Sequence, residues 1–485
     1  MDSPAETDVL RTPAAGGMVI RGGAIRAGGY GASILLAAVT SVLLLRYLGV
    51  EAFGLYGVVA ALLGIVASFT EGGLSVVGAR DLALAPAGEP RRRLLGNLLL
   101  LRILLTSAGV ALAAAFALAA GYRPVVVGGT LLAGLGVLLL NVQVTVSLPL
   151  RVQLRMGAVT GVEVLNQAAT LALVALLVAL GAPLLAFFGV QVAVGALAVA
   201  VTALLVGRAL SRPLFDRDVL GPLVRDALPV AAAVAMNVVY LRLLVVLVSL
   251  IATELATGLF ATSFRVFEML VGLPTLVLSI ALPALAVHLA DDRERFAYGL
   301  QRLTEVALLV GLFQALVVVS LAEPAVVLLY GEEYRGAGPI LAVQALALVP
   351  IFLAQTWTLG LIALRRQKAV AVANGVALAF VLGVGSALVL ADGADGAAWA
   401  AVATESLLAV LLLAALARSA RDVAPRFGFV WRPLAAAAVG VVPLLALDRS
   451  GWVEAPLAAL AFAVVALAVR AVPAEILPAL RGGTR

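Results

Sequence analysis

Long apolar runs alternate with short polar joints along the whole chain. Fourteen runs reach at least about 17 residues, roughly the length a helix needs to cross a hydrocarbon core. They lie at approximately residues 27–48, 53–78, 94–119, 124–148, 158–180, 183–206, 228–251, 256–287, 303–322, 338–362, 369–390, 396–417, 433–447 and 455–472. The joints average about 12 residues, too short for a soluble domain. The pattern predicts an all-α, polytopic membrane protein of about 14 transmembrane helices.

Composition excludes the soluble alternative for a chain of 485 residues. Hydrophobic residues make up 63%, charged residues 12%, and mean hydropathy is +1.14. A soluble protein cannot hide that much apolar surface from water. Cysteine is absent and His288 is the one histidine. Disulfides, thiolate nucleophiles and cysteine metal sites are therefore excluded, and no metal, cofactor or catalytic residue is expected. The first twenty residues carry Asp2, Glu6 and Asp8 and no apolar run, so no cleaved signal peptide is expected.

The basic residues are sorted by side. Of 33 Arg and Lys, 26 fall on the side shared by both tails and the even-numbered joints, as in Arg91-Arg92-Arg93 and Arg365-Arg366-x-Lys368. The opposite side holds Arg46, Arg123, Arg335 and Arg449, and three more (Arg102, Arg242 and Arg265) fall within spans. The asymmetry predicts both termini in the cytoplasm. It also accounts for the pI near 10 without nucleic acid, which would need a clustered basic stripe with aromatic stacking groups.

An internal repeat is visible. Gly54-Leu55-Tyr56 enters the second span and Gly258-Leu259-Phe260 enters the eighth; Leu154-Arg155 precedes the fifth and Leu364-Arg365 the eleventh. Each pair lies six spans apart, so the halves share one orientation, as in transporters built from parallel repeats. The expected organisation is a tail over residues 1–26, an N-lobe of six helices over 27–206, a C-lobe of six over 228–417, two extra helices over 433–472, and a tail over 473–485.

Several motifs carry a family likeness. Leu48-Gly49-x-x-x-Phe53-Gly54-x-Tyr56, then Gly72-Gly73-Leu74 and Arg80-Asp81, resembles the opening of the Wzx-type polysaccharide flippases, exporters of O-antigen and exopolysaccharide. These belong to the multidrug/oligosaccharidyl-lipid/polysaccharide exporter superfamily. Gly258-Leu259-Phe260, then Phe264-Arg265-x-x-Glu268 with Pro274 and Pro283, resembles the eighth helix of that family. Leu329-Tyr330-Gly331-Glu332-Glu333-Tyr334 resembles its loop between helices 9 and 10, and Gly396-Ala397-Ala398 the start of helix 12. The likeness covers about residues 20–420. One departure stands out: the family's aromatic-x-Arg-x-Asp pattern in helix 7 appears here as Tyr240-x-Arg242-x-Leu244. A role for that Asp in ion coupling cannot be carried over.

The resemblance implies a flippase, not an enzyme. It would move a polyprenyl-diphosphate-linked oligosaccharide from the cytoplasmic to the outer leaflet of the inner membrane by alternating access. Its partners would be the lipid-linked glycan, membrane lipids, and a glycan polymerase or assembly machinery. A charge at mid-bilayer costs about 2.5–3.5 kcal/mol on insertion scales and needs a reason. Arg242 and Arg265 are candidates to hold the diphosphate in a wet cavity, because guanidinium forks match phosphate oxygens. Glu268, three residues from Arg265 on the same helical face, and Glu71 would balance charge or titrate with a coupling ion. The alternative is an Arg265–Glu268 pair that only fixes packing, with Arg242 snorkelling. Arg26 at the mouth of the first helix and Arg102 in the third are further substrate-binding candidates. Against them stand a topological role for Arg26 and snorkelling for Arg102. The patch Glu163, Asn166 and Gln167, and single polar residues such as Glu405, either bind sugar hydroxyls or bond between helices.

Three rival functions frame this expectation. A lipid II flippase would share the diphosphate. A drug or cation antiporter of the same superfamily would need an intramembrane acid rather than arginines. A membrane glycosyltransferase would use Asp216-x-Asp218 to hold a metal–diphosphate.

Overall fold

The computed structural model describes residues 14–446 and 451–472, apart from positions 87, 154, 208, 209 and 292. The tail ends, Arg449, and the side chains of Glu71, Asn237, Pro274, Pro283 and His288 lie outside the described residues. All the regular structure described is helical. The helices are α1 (Ala14–Leu84), α2 (Glu89–Ala119), α3 (Pro124–Val146), α4 (Leu148–Val152), α5 (Met156–Ala179), α6 (Leu184–Val206), α7 (Arg217–Ile251) and α8 (Glu254–Asp291). They continue as α9 (Arg293–Tyr330), α10 (Ala337–Leu346), α11 (Leu348–Ala363), α12 (Gln367–Phe380), α13 (Ser386–Ser419), α14 (Trp431–Ala446) and α15 (Gly451–Ala468).

Eleven continuous stretches are long and apolar enough to cross a membrane, and a shorter apolar helix covers Val238–Ile251. Two of the eleven, Gly28–Leu84 and Gln367–Ser419, are double-length. The first breaks at Gly49 (φ 72°, ψ 171°) and the second at Asp392 and Gly393 (φ 54°). Counting each broken stretch as two passes gives about fourteen among the described residues. The joints expected at 49–52 and 391–395 are thus single kinks rather than loops. A positive φ costs a glycine little, so one residue can turn the chain.

Elsewhere the sequence dictates real turns. After α2 and α5, Gly121 and Gly181 adopt positive φ, at 73° and 67°. Tyr122 N–H bonds to Ala117 O and Ala182 N–H to Leu177 O. This is the left-handed glycine stop that satisfies the last carbonyls of a helix. Pro124 opens α3 and Pro183 precedes α6, where a missing N–H costs nothing. The fourth and tenth passes are both interrupted. α3 gives way to α4 at Ser147, just before Pro149, and α10 to α11 at Ala347, just before Pro350.

The chain forms two compact units. One comprises Met1–Tyr47 and Val66–Ala231, the other Leu48–Ile65 and Ala232–Arg485. In the first, a leucine-rich cluster joins α1, α2, α4 and α7 through Leu74, Leu98, Leu148 and Leu223. Tyr47 Oη donates to Ala182 O at 2.8 Å and its ring lies 5.4 Å from that of Phe187. In the second, α14 and α15 pack on α9 through Leu316, Ala436, Ala458 and Phe462. Here the repeat-related glycines meet. A Cβ on Gly54 would lie 2.9 Å from Gly258 N, and one on Gly258 would overlap the Val50 carbonyl. Only hydrogens let these two backbones approach so closely.

Candidate binding site

The eighth pass carries two charges one turn apart, and the seventh supplies a third. Arg242 Nη2 on α7 donates to Glu268 Oε1 on α8, and Arg265 Nη1 donates to Glu268 Oε2 at 3.4 Å. Arg242 Nη1 also donates to Ala60 O at 3.2 Å. The contact is possible because Gly64, one turn further along α1, has no side chain. A Cβ there would overlap the Arg242 guanidinium. One carboxylate therefore holds two guanidinium groups, and all these residues belong to one unit.

The arrangement is electrostatically lopsided. Among the described residues two cations share one anion, which leaves a net positive charge in apolar helices. Each guanidinium has five N–H donors, yet the pair makes only these three bonds among the described residues. The side chains of Arg242, Glu268 and Arg265 are 22%, 33% and 41% exposed, so the group is open rather than sealed. Unused donors, excess positive charge and access together suit a bound anion with several oxygens. The Arg265–Glu268 spacing is readable in the sequence. The Arg242–Glu268 pair is not, since it depends on how α7 and α8 are rotated. Arg242 is turned to Glu268 and Ala60, not outward along the helix as snorkelling requires.

The other sequence candidates fall elsewhere. Arg102 on α2 is 1% exposed. It donates to Ser75 Oγ at 2.8 Å and Asn141 O at 3.4 Å, and Asn141 Nδ2 donates to Thr70 and Thr106. The expected snorkelling is replaced by burial in a polar network. Arg26 is exposed, with Nη1 3.9 Å from Met156 Sδ on α5. Glu71 lies outside the side chains described.

A second intramembrane carboxylate is marked in the sequence only as one of many scattered polar residues. Glu405 on α13 is 2% exposed and accepts a 2.7 Å hydrogen bond from Tyr240 Oη on α7. Tyr240 opens the altered helix-7 pattern, and Leu244, where the acid would stand, is fully buried. A lone acid in an apolar span is the available signal. Its partner, 165 residues away, leaves none.

The Asp216-x-Asp218 motif has a local explanation. Asp216 Oδ1 accepts the Asp218 N–H at 3.1 Å, and Asp216 O accepts the N–H groups of Val219 and Leu220. Asp216 N–H itself donates to Asn97 Oδ1 at 2.8 Å. Such bonding is how an aspartate starts a helix.

The sequence profile of a family described as "Polysaccharide biosynthesis protein" matches residues 19–288, more than half of the chain. The chain belongs to that family. No curated protein sequence matches it. Among solved structures, the "Lipid II flippase MurJ, inward closed conformation" superposes with a TM-score of 0.71 at 12% identity, covering 92% of this chain and 98% of that one. An inward-facing multidrug resistance MATE family transporter of the MOP superfamily gives 0.60 at 12% identity, covering 81% and 94%. The eukaryotic MATE transporter AtDTX14 gives 0.54 at 17% identity, covering 83% and 96%. At these identities the likeness establishes the fold alone, the one these transporters share. This member of the polysaccharide biosynthesis family is a helical, multi-pass membrane protein, as its motifs implied.

Proposed function

We propose that the protein is a flippase carrying a polyprenyl-diphosphate-linked oligosaccharide from the cytoplasmic to the outer leaflet of the inner membrane by alternating access. Both termini lie in the cytoplasm, where the basic joints are retained. Arg242 and Arg265 hold the diphosphate, and Glu268 is their resting counter-ion. The observation that carries this reading is one half-exposed carboxylate shared by two guanidinium groups with donors to spare. Binding a diphosphate would trade one carboxylate for several phosphate oxygens at the same forks. Empty, the site is held together by Glu268; loaded, it is held by cargo. Arg26 greets the headgroup at the cytoplasmic mouth. The family and the fold both support transport of a lipid-linked glycan.

Lipid II is the second reading, favoured by the likeness to MurJ. It presents the same diphosphate, so the arginines do not discriminate; the sugars must. In cells, Arg242→Ala and Arg265→Ala are expected to trap lipid-linked glycan on the cytoplasmic leaflet while the protein still inserts. Normal surface glycan in both variants, with no lipid-linked precursor trapped, would reject the site. Trapped lipid II with normal surface glycan would keep the site and reject the glycan assignment in favour of lipid II.

A further inference from the structure

The intramembrane polar residues divide by whether they have found partners. Asn97, Asn141, Gln143, Gln314 and Asn374 each bond within the bundle. α5 is different. Glu163, Asn166, Gln167 and Thr170 follow the i, i+3, i+4, i+7 spacing of one helix face. They form a stripe about 10 Å long, and all four are partly exposed. Asn166 Oδ1 has no hydrogen-bond partner, and among the described residues Gln167 has none either. Thr170 bonds only back to its own helix, through Asn166 O at 2.7 Å. Glu163 has one loose ion pair, at 3.8 Å from Arg151.

The stripe does not face lipid. The most exposed positions of α5, Gly161, Leu165, Ala168, Ala172 and Leu176, are apolar and lie on the opposite side of the helix. Intramembrane polar groups turned from lipid either bond to neighbouring helices or face a water-filled space. Among the described residues these bonds are not made, and the four residues are partly exposed although Asn166 Oδ1 itself is buried. The other polar groups of the stripe are therefore placed to meet water. The stripe offers amide donors and acceptors, a hydroxyl and a carboxylate, which is the complement of a sugar's hydroxyl-rich edge. Arg26 sits at its start, beside Met156 on the same face.

We infer that the α5 stripe is a carbohydrate subsite that binds hydroxyl groups of the cargo's glycan and sets which glycan is accepted. The inference rests on the flippase reading but not on the arginine site, which recognises the diphosphate common to all such lipids. Gln167 carries most of the recognition, because its amide is partly exposed and has no partner among the described residues, and Asn166 shapes the floor beside it.

The test compares two probes on purified, full-length protein in nanodiscs: a fluorescent polyprenyl diphosphate carrying an N-acetylglucosamine disaccharide, and the same lipid without sugar. Wild type is expected to bind the glycosylated probe about 10-fold more tightly, the worth of one or two net hydrogen bonds. Asn166→Leu with Gln167→Leu is expected to erase that preference while leaving the sugar-free probe bound as before. Unchanged binding of that probe also shows that the variant is folded. Asn166→Gln is expected to keep part of the preference. A wild type without preference, or a double variant that keeps it, overturns the subsite and leaves the flippase reading standing. A wild type that binds neither probe overturns both.

Discussion

Arg102 and the Arg242–Arg265 pair are all arginines within apolar helices, yet their surroundings differ. Arg102 is sealed, with Ser75, Asn141, Thr70 and Thr106 wired into one network around it. Arg242 and Arg265 are open, meet at one carboxylate and keep donors without partners among the described residues. Position within a span does not separate the two cases; exposure does. A sealed arginine is part of the fold, and its removal leaves buried acceptors unsatisfied. An open pair costs the fold little to lose and is suited to a ligand.

The largest expected contrast comes from exchanging the two regions as targets. Arg242→Ala is expected to weaken binding of polyprenyl diphosphate by about 100-fold, the scale of a lost charge-assisted fork, with little change in thermal stability. Arg102→Ala is expected to do the reverse, lowering stability by about 2 kcal/mol and leaving the affinity of the folded fraction intact. Thermal melts and binding isotherms on both variants check the pair; matching profiles would erase the distinction.

Next comes Glu268→Gln, which removes the resting anion and keeps the shape. It is expected to tighten diphosphate binding about 10-fold and to slow release. Weaker binding would show that Glu268 orients the arginines rather than competing with cargo. Glu405→Leu tests the sealed carboxylate. It removes the carboxylate that accepts the Tyr240 hydroxyl and should cost about 1–3 kcal/mol of stability, read by melting temperature, whereas Glu405→Gln keeps an acceptor and should cost less.

The smallest effect is expected outside the membrane. Asp422 accepts two bonds from Arg293, and that guanidinium holds its carboxyl below the usual carboxylate range. A depressed folded value means the pair stabilises above the ordinary aspartate pKa and fades as pH falls through the folded one. Both side chains are largely exposed, so solvent screens the gain. Asp422→Asn should slightly lower stability at neutral pH and remove a little of its decline in acid. Melts across that range check the sign.

Hydropathy alone reveals most of the architecture, because each pass must be a long apolar helix. It misses what a single residue decides. Gly49 turns the chain on its own and Gly393 does so with Asp392, where hydropathy reads short loops. α7 begins at Arg217 rather than near 228, since Asp216 starts it while its first turns are polar. The site is half legible. Arg265 and Glu268 stand one helical turn apart, so their pairing follows from spacing. Arg242–Glu268 and Tyr240–Glu405 join different helices, and no local pattern sets those rotations. The α5 stripe is legible as a period, but only the structure shows that Gln167 has no partner among the described residues.

The most direct test of the central claim is translocation itself. Wild type and the Arg242→Ala, Arg265→Ala double variant would be reconstituted in proteoliposomes with a fluorescent polyprenyl-diphosphate-linked oligosaccharide. The rate at which the headgroup reaches the opposite leaflet would then be followed. The account predicts steady transfer by wild type and transfer at the protein-free rate by the inserted, folded double variant. Equal transfer by both would contradict it.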